Sequence, residues 1–223
     1  MEKKIRKLVI YGVSSYTNSL ISLCNKIDDI EIVAVCVDSE YINCVNPKCH
    51  GYDVITFELA KVLFKEAYFC VSIGYKNMRN RKLIYQKIIE NGLKTTNIIS
   101  PRSYVDTNNI GSGCVIFDGV VVENDVTIND NVTLWSNVTI CHDVKISSHC
   151  FISANSTIGG FSSIGQLSFL GFNATVLDNI DIGQECLIGA SSLVNKNILD
   201  LSKCYGVPFK CVERINVNVG VCV

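Results

Sequence analysis

The sequence of 223 residues lacks any apolar run near the roughly 18 to 20 residues that a membrane span needs. Its longest runs, such as Ile32–Val37, have the length of a strand. It also lacks an excess of either charge. Twenty Lys and Arg stand against 21 Asp and Glu, so the total advertises neither nucleic acid nor an anionic surface as a partner. The charged start, Met1-Glu2-Lys3-Lys4-Ile5-Arg6-Lys7, leads into a strand and a glycine turn where a signal peptide would have an apolar core. A cytoplasmic protein with no membrane and no nucleic-acid partner is the expectation.

Cysteine is plentiful, at 12, but not in the pattern of a secreted disulfide framework. Cys36, Cys70, Cys114, Cys150 and Cys186 sit inside apolar, strand-like runs, where a free thiol serves as a small hydrophobe. Cys44, Cys49 and His50 lie close together, yet no second ligand pair at metal-binding spacing accompanies them. They read as loop cysteines and a surface histidine, so no metal is expected.

From Ile110 every sixth residue is a branched aliphatic: Ile110, Ile116, Val122, Ile128, Leu134, Ile140, Ile146, Ile152, Ile158, Ile164, Leu170, Val176, Ile182, Ile188 and Val194. Chance would produce that run at a level on the order of 10⁻⁸, so the repeat is real. Four residues after each comes a small or modest residue, from Cys114 to Ser192, expected where the turn is tight, and Gly often follows the aliphatic, as in Ile164-Gly165. A spacing of six cannot hold one face of a helix with 3.6 residues per turn. It does suit a three-sided parallel β-helix, with one strand and one turn per hexad and three hexads per coil. Five such coils span about 24 Å at the spacing of paired strands.

Residues 1–97 have another rhythm. Strands at Lys7–Tyr11, Glu31–Val37 and Tyr68–Ile73 alternate with helix-like stretches, which predicts a small Rossmann-like α/β domain with a parallel sheet. Its ligand crevice should lie outside the strand carboxyl ends, where Gly12, Asp38 and Gly74 fall. The full GxGxxG fingerprint is missing, so Gly12 by itself marks either a tight turn or a phosphate seat at the following helix N-terminus. Pro101 marks the join. The domains are expected at 1–97 (α/β), 98–198 (β-helix) and 199–223 (a C-terminal tail with the turn Gly206-Val207-Pro208).

Nearly the whole chain resembles the hexapeptide-repeat sugar acetyltransferases, the family of the sialic acid O-acetyltransferases and the nucleotide-linked 4-amino-sugar N-acetyltransferases. Ile10-Tyr11-Gly12-Val13-Ser14-Ser15, Asp38, Ser72-Ile73-Gly74 and Arg79 resemble its N-terminal signature. Ile140-Cys141-His142-Asp143 resembles its His-acid pair, and Gly206-Val207-Pro208 its closing turn. Two positions depart: Tyr16 stands where the family usually has His, and Phe151 stands nine residues past His142 where a second His is frequent. His149 is close by, out of register.

The resemblance implies a left-handed β-helix, homotrimers, and acetyl-CoA as co-substrate in the groove between neighbouring β-helices, with contacts at Gly160, Phe172 and Ala190. It assigns the nucleotide of the sugar to Gly12, Ser14, Ser15, Asp38, Gly74 and Arg79. Asp38 suits ribose or uracil, and Arg79 suits phosphate. His142 falls two residues after the inward Ile140, so it sits on a turn and points outward. Acyl transfer from a thioester needs a base to take the acceptor's proton; His serves at neutral pH, and Asp143 would hold its tautomer. Backbone N–H groups of the coils would stabilise the oxyanion.

The reading is N-acetylation of a nucleotide-linked amino sugar, a 4-amino-4,6-dideoxy sugar, in surface-glycan synthesis. O-acetylation of the sialic acid type is the nearest alternative, and a non-catalytic β-helix scaffold another. A metal-dependent hydratase needs three His ligands per metal, whereas the repeat offers His142 and His149.

Overall fold

A computed structural model describes residues 5–223; Met1–Lys4, part of the charged start, lie outside the described residues. The chain divides into two units. One runs to Gly74 and takes in Leu83–Thr96; the other comprises Tyr75–Lys82 and Asn97–Val223. Two expectations about boundaries are thereby corrected. Tyr75–Lys82, expected in the α/β half, belongs with the repeats, and Ser202–Tyr205, expected in the tail, adds one more strand to them before the antiparallel strand Lys210–Arg214.

The first unit is a six-stranded sheet of β1 (Arg6–Tyr11), β2 (Ile30–Val37), β3 (Lys48–Cys49), β4 (Tyr52–Thr56), β5 (Tyr68–Val71) and β6 (Lys94–Thr95), in the order β3-β4-β2-β1-β5-β6. Every pairing is parallel except β3 with β4. β1 is apolar from Leu8 to Tyr11 because helices cover both faces of such a sheet; Leu8, Val9 and Ile10 are fully buried. Helix α1 (Ser15–Cys24) buries Tyr16, Thr17, Leu20, Ile21, Leu23 and Cys24 along one face. Helix α2 (Phe57–Leu63) and residues 83–90 of α3 (Met78–Glu90) complete the layers. The strand order reverses at β1, which opens a crevice beyond the carboxyl ends of β1 and β5.

The second unit is a left-handed parallel β-helix with three sheets as its faces. Strands stack eighteen residues apart, as Leu134 on Ile116 and Ile152 on Leu134. Fourteen of the fifteen aliphatics are no more than 2% exposed, and Ile110, near the start, is half-buried. The small residues four positions on are inward too, not at the tight turn. Ser156, Ser162 and Ser168 are buried because each hydroxyl donates to a carbonyl of the next coil (Gly171, Leu177 and Gly183).

The tight turn is one residue earlier. Asp125, Asn131, Asn137, Asp143, His149, Asn155, Phe161, Leu167, Asn173 and Asn179 all have φ between 54° and 65°, the left-handed region that rotates the chain onto the next face. The glycines after the aliphatics serve close approach instead. A Cβ on Gly165 would lie 2.3 Å from the Gly183 carbonyl carbon.

The repeat also starts earlier and ends later than its strict phase. Ile99 stacks on Ile116 and Val105 on Val122 at a spacing of seventeen, because the first coil is one residue short. Beyond Val194 two residues are missing, so Ile198 stacks on Ile182 and Cys204 on Ile188 at a spacing of sixteen. Cys204 is also disulfide-bonded to Cys211 on the antiparallel strand Lys210–Arg214. The five cysteines expected as buried small hydrophobes are buried and free.

Ile146→Asp places a charge inside this prism with no partner. We expect a Tm at least about 10 °C lower, read by calorimetry. An unchanged Tm contradicts the inward register.

Candidate active site

The β-helix has three corners, and the turn residues at each stack in columns of eighteen. His142 occupies the corner that joins the Thr139–Ile140 strand to the Lys145–Ile146 strand. The left-handed φ of Asp143 bends the backbone so that adjacent side chains meet, and His142 Nδ1 lies 3.1 Å from Asp143 Oδ2. That pairing fixes the imidazole and leaves Nε2 for another partner. The two side chains are 47% and 41% exposed, open to a ligand.

Below and above the histidine the columns hold it further. Glu123 accepts the backbone N–H of His142 at 2.9 Å. In the next coil Gly160 passes so close under the ring that a Cβ there would lie 2.8 Å from His142 Cε1. Phe161 donates its backbone N–H to the His142 carbonyl and sets its ring perpendicular to the imidazole, 5.0 Å between centroids. Asp178 accepts the Gly160 N–H at 3.0 Å. Glu123, Asp125, Asp143 and Asp178 thus share the corner, and its columns carry no Lys or Arg over those coils. Burial first, then Glu123 and Asp178, push the neighbouring Cys141 thiol up, so it is no thiolate nucleophile.

The expected cofactor positions divide between two corners. Gly160 is at the His142 corner, but its N–H is held by Asp178 and its carbonyl accepts from Asn179, so no backbone bond remains for an oxyanion. Phe172 and Ala190 stack on one another at the next corner, both exposed, with the Thr157 and Thr175 strands between that corner and His142's.

The third corner holds His149. It is 5% exposed, with Nδ1 3.0 Å from Asn131 Nδ2. Arg81, itself buried, donates to the Asn131 carbonyl and to Thr133 Oγ1, and lies over Phe151. Burial, then the charges of Arg81 and Lys82, push the His149 imidazole down to about 4. It is a neutral structural residue on a different corner from His142. Phe151 packs on the face beside it with Tyr75, Trp135 and Phe169.

In the α/β unit, Gly12, Ser14, Ser15, Asp38 and Gly74 all fall at the crevice end of the sheet. Gly12 has φ 122°, and a Cβ there would press on Ile73 and the Ser72 carbonyl. Thr17, which the sequence reading missed, ties the turn together: Oγ1 accepts from Ser14 N–H and the Ser72 hydroxyl and donates to the Gly12 carbonyl. Its signal was available, as a Thr at the third position of the helix that follows Ser14. Asp38 Oδ1 accepts from the Tyr11 phenol at 2.5 Å and pairs with Lys87, which leaves Oδ2. Burial, then Asp38, raise the Tyr11 phenol, so it stays protonated.

Arg79 belongs to the β-helix unit, where Nε and Nη2 make a two-bond pair with Glu185 at 2.8 and 2.9 Å. Tyr16 is buried in α1 beside Gly74. Cys44 and His50 are exposed and Cys49 is buried; they line an open pocket of about 590 Å³ with Val13, Asn18 and Asn46. Among the described residues no group of three His, Cys, Asp or Glu side chains is arranged to hold a metal. Nor, among them, is any helix long and apolar enough to cross a membrane.

The bacterial transferase hexapeptide (six repeats) matches residues 109–142 and 130–160, and the hexapeptide repeat of succinyl-transferase matches 163–196. Residues 109–160 and 163–196 are thus built of repeats that match transferase hexapeptides. Solved structures extend the likeness to the α/β unit. A mutant of perosamine N-acetyltransferase from Caulobacter crescentus, in complex with CoA and GDP-perosamine, is 23% identical. The match covers 94% of this chain and 98% of that one, with a TM-score of 0.83. The acetyltransferase domain of PglB from Neisseria gonorrhoeae, in complex with acetyl coenzyme A, is 23% identical over 93% of this chain and all of that one, also at 0.83. At these identities the likeness is one of fold. No curated protein matches the chain.

The hexapeptide domain should register His149 in its acid stability. Its folded value lies below the ordinary one near 6.5, so the unfolded chain takes up the proton first and stability falls as pH drops from about 6.5 to about 4. The loss is on the order of 3 kcal/mol. In His149→Asn, which suits the left-handed turn, Tm should fall less between pH 7 and pH 4.5 than in the parent.

Proposed function

We propose that the protein is an acetyl-CoA-dependent N-acetyltransferase acting on a nucleotide-linked amino sugar, a 4-amino-4,6-dideoxy sugar, in surface-glycan biosynthesis. The observation that carries this reading is the His142–Asp143 pair, half-open to solvent at an acid-lined corner of the hexapeptide repeats. An amine acceptor arrives largely as an ammonium ion. Four carboxylates with no Lys or Arg in their columns over those coils favour that cation over a neutral hydroxyl, which is why N-acetylation is preferred to O-acetylation.

The chemistry then follows from Nε2. The bound ammonium first gives one proton to solvent; Nε2 then takes a proton from the neutral amine nitrogen as that nitrogen bonds to the thioester carbonyl carbon, while Asp143 steadies the imidazolium through Nδ1. The C–S bond breaks as the tetrahedral carbon collapses, and the proton passes from Nε2 to the departing sulfur. The products are an acetamide and a free thiol.

Acetyl-CoA is assigned to Gly160, Phe172 and Ala190. With both backbone groups of Gly160 engaged, its part is contact and close approach beneath the ring. The nucleotide is assigned to the crevice of the α/β unit. Its phosphate would meet the N-terminus of α1 at Ser14 and Ser15, its chain would pass Gly12 and Gly74, and a ribose or base hydrogen bond would go to Asp38 Oδ2. Arg79, which pairs with Glu185, is the cation assigned to the phosphate. A homotrimer accounts for the exposed Phe172 and Leu177, which a neighbouring β-helix would cover to close the groove. The ten free cysteines suit a reducing cytoplasm.

Thiol release from acetyl-CoA, measured against a panel of nucleotide-linked amino sugars and hydroxyl sugars, tests the reading. We expect turnover with the amino sugars. His142→Ala should lower kcat by about 10²- to 10⁴-fold with little change in KM for acetyl-CoA. Turnover confined to hydroxyl sugars would favour O-acetylation, and full activity without His142 would remove the base. Light scattering should give three times the 24.6 kDa chain mass; a monomer at micromolar concentration contradicts the shared groove.

A further inference from the structure

We propose that Phe161 is a positioning residue for His142, holding the imidazole for proton transfer. The proposal rests on His142 being the base and adds a residue that acts through it. Phe161 occupies a left-handed turn position, with φ 59°. A bulky side chain is strained there, whereas Asn and Asp adopt it readily. Seven of the corresponding residues, Asp125, Asn131, Asn137, Asp143, Asn155, Asn173 and Asn179, are of those types; His149, Leu167, Glu185 and Ser191 are the others.

Burial does not offset the strain. Leu167 carries the same conformation, φ 62°, but is only 5% exposed. Phe161 is 59% exposed, so its ring gains little from the core. What the ring does contact is His142, perpendicular at 5.0 Å, the arrangement that aromatic quadrupoles favour. Its backbone N–H meanwhile holds the His142 carbonyl at 3.2 Å. A strained, exposed aromatic against the half-open imidazole has the character of a functional residue whose cost the fold carries. Asp143 holds Nδ1, Gly160 lies close beneath the ring, and Phe161 meets it edge-on.

Phe161→Asn tests this, since the replacement relieves the backbone while removing the ring. The expected result is a Tm equal to or above the parent's together with a kcat lowered about tenfold or more, and KM values for both substrates within about twofold. Phe161→Leu should lose activity similarly, and Phe161→Tyr should restore kcat to within about threefold. In a His142→Ala background Phe161→Asn should cost nothing further, because coupled residues are not additive. The proposal is overturned if Phe161→Asn keeps more than about half of kcat while His142→Ala is inactive. A lower Tm without rescue by Tyr, or a raised KM for the sugar at unchanged kcat, overturns it as well. An active His142→Ala would instead remove the base itself, which separates the two failures.

Discussion

The backbone hydrogen-bond ladder between successive coils, repeated every eighteen residues, is the constraint on which the hexapeptide domain depends. Each coil closes because every sixth residue enters the left-handed region and turns the chain onto the next face. Each coil then donates and accepts along its whole length to its neighbours. Once that register is set, side chains eighteen apart are forced into columns. Aliphatics fill the interior, serines are tolerated there because carbonyls of the next coil accept their hydroxyls, and glycines appear where one backbone presses on another. No separate device is needed to place Gly160 under His142 or Asp178 beside Gly160.

The same columns explain how one short motif becomes a site. His142 and Asp143 are adjacent in sequence, and an ordinary extended pair would point them apart; the left-handed turn brings Nδ1 to the carboxylate. Glu123 and Phe161 reach the histidine from the coils on either side. The second histidine shows the reverse. His149 is seven residues on, yet a seven-residue step carries it to another corner, where burial and two neighbouring cations keep it neutral. Proximity along the chain therefore says little about proximity at the site, whereas a separation of eighteen says a great deal.

Much of this was legible in the residues because the physics is periodic. The spacing of six specified the interior, and with it the outward placement of His142. Where the period slips, the reading stopped short: the seventeen-residue spacing at Ile99 and Val105 and the sixteen-residue spacing at Ile198 and Cys204 hid the first and last coils. The α/β crevice was legible at its strand ends, since apolar parallel strands must end in loops that gather on one side. Thr17 and Lys87 were not, because a hydroxyl in a helix and a lysine fifty residues from its carboxylate look like ordinary surface chemistry until packed.

By itself, the sequence determined the fold class and the phase of the prism interior, which follow from local period; the His142–Asp143 pair was picked out by its resemblance to a family motif. Tertiary structure alone decided which charges meet. It paired Arg79 with Glu185 within the β-helix unit, closed Gly160's amide with Asp178, buried His149 under Arg81, and set a strained phenylalanine against His142. The physical reason is that hydrophobic periodicity is a property of a segment. Hydrogen-bond and charge pairing belong to two segments, and their meeting is fixed only when coils stack.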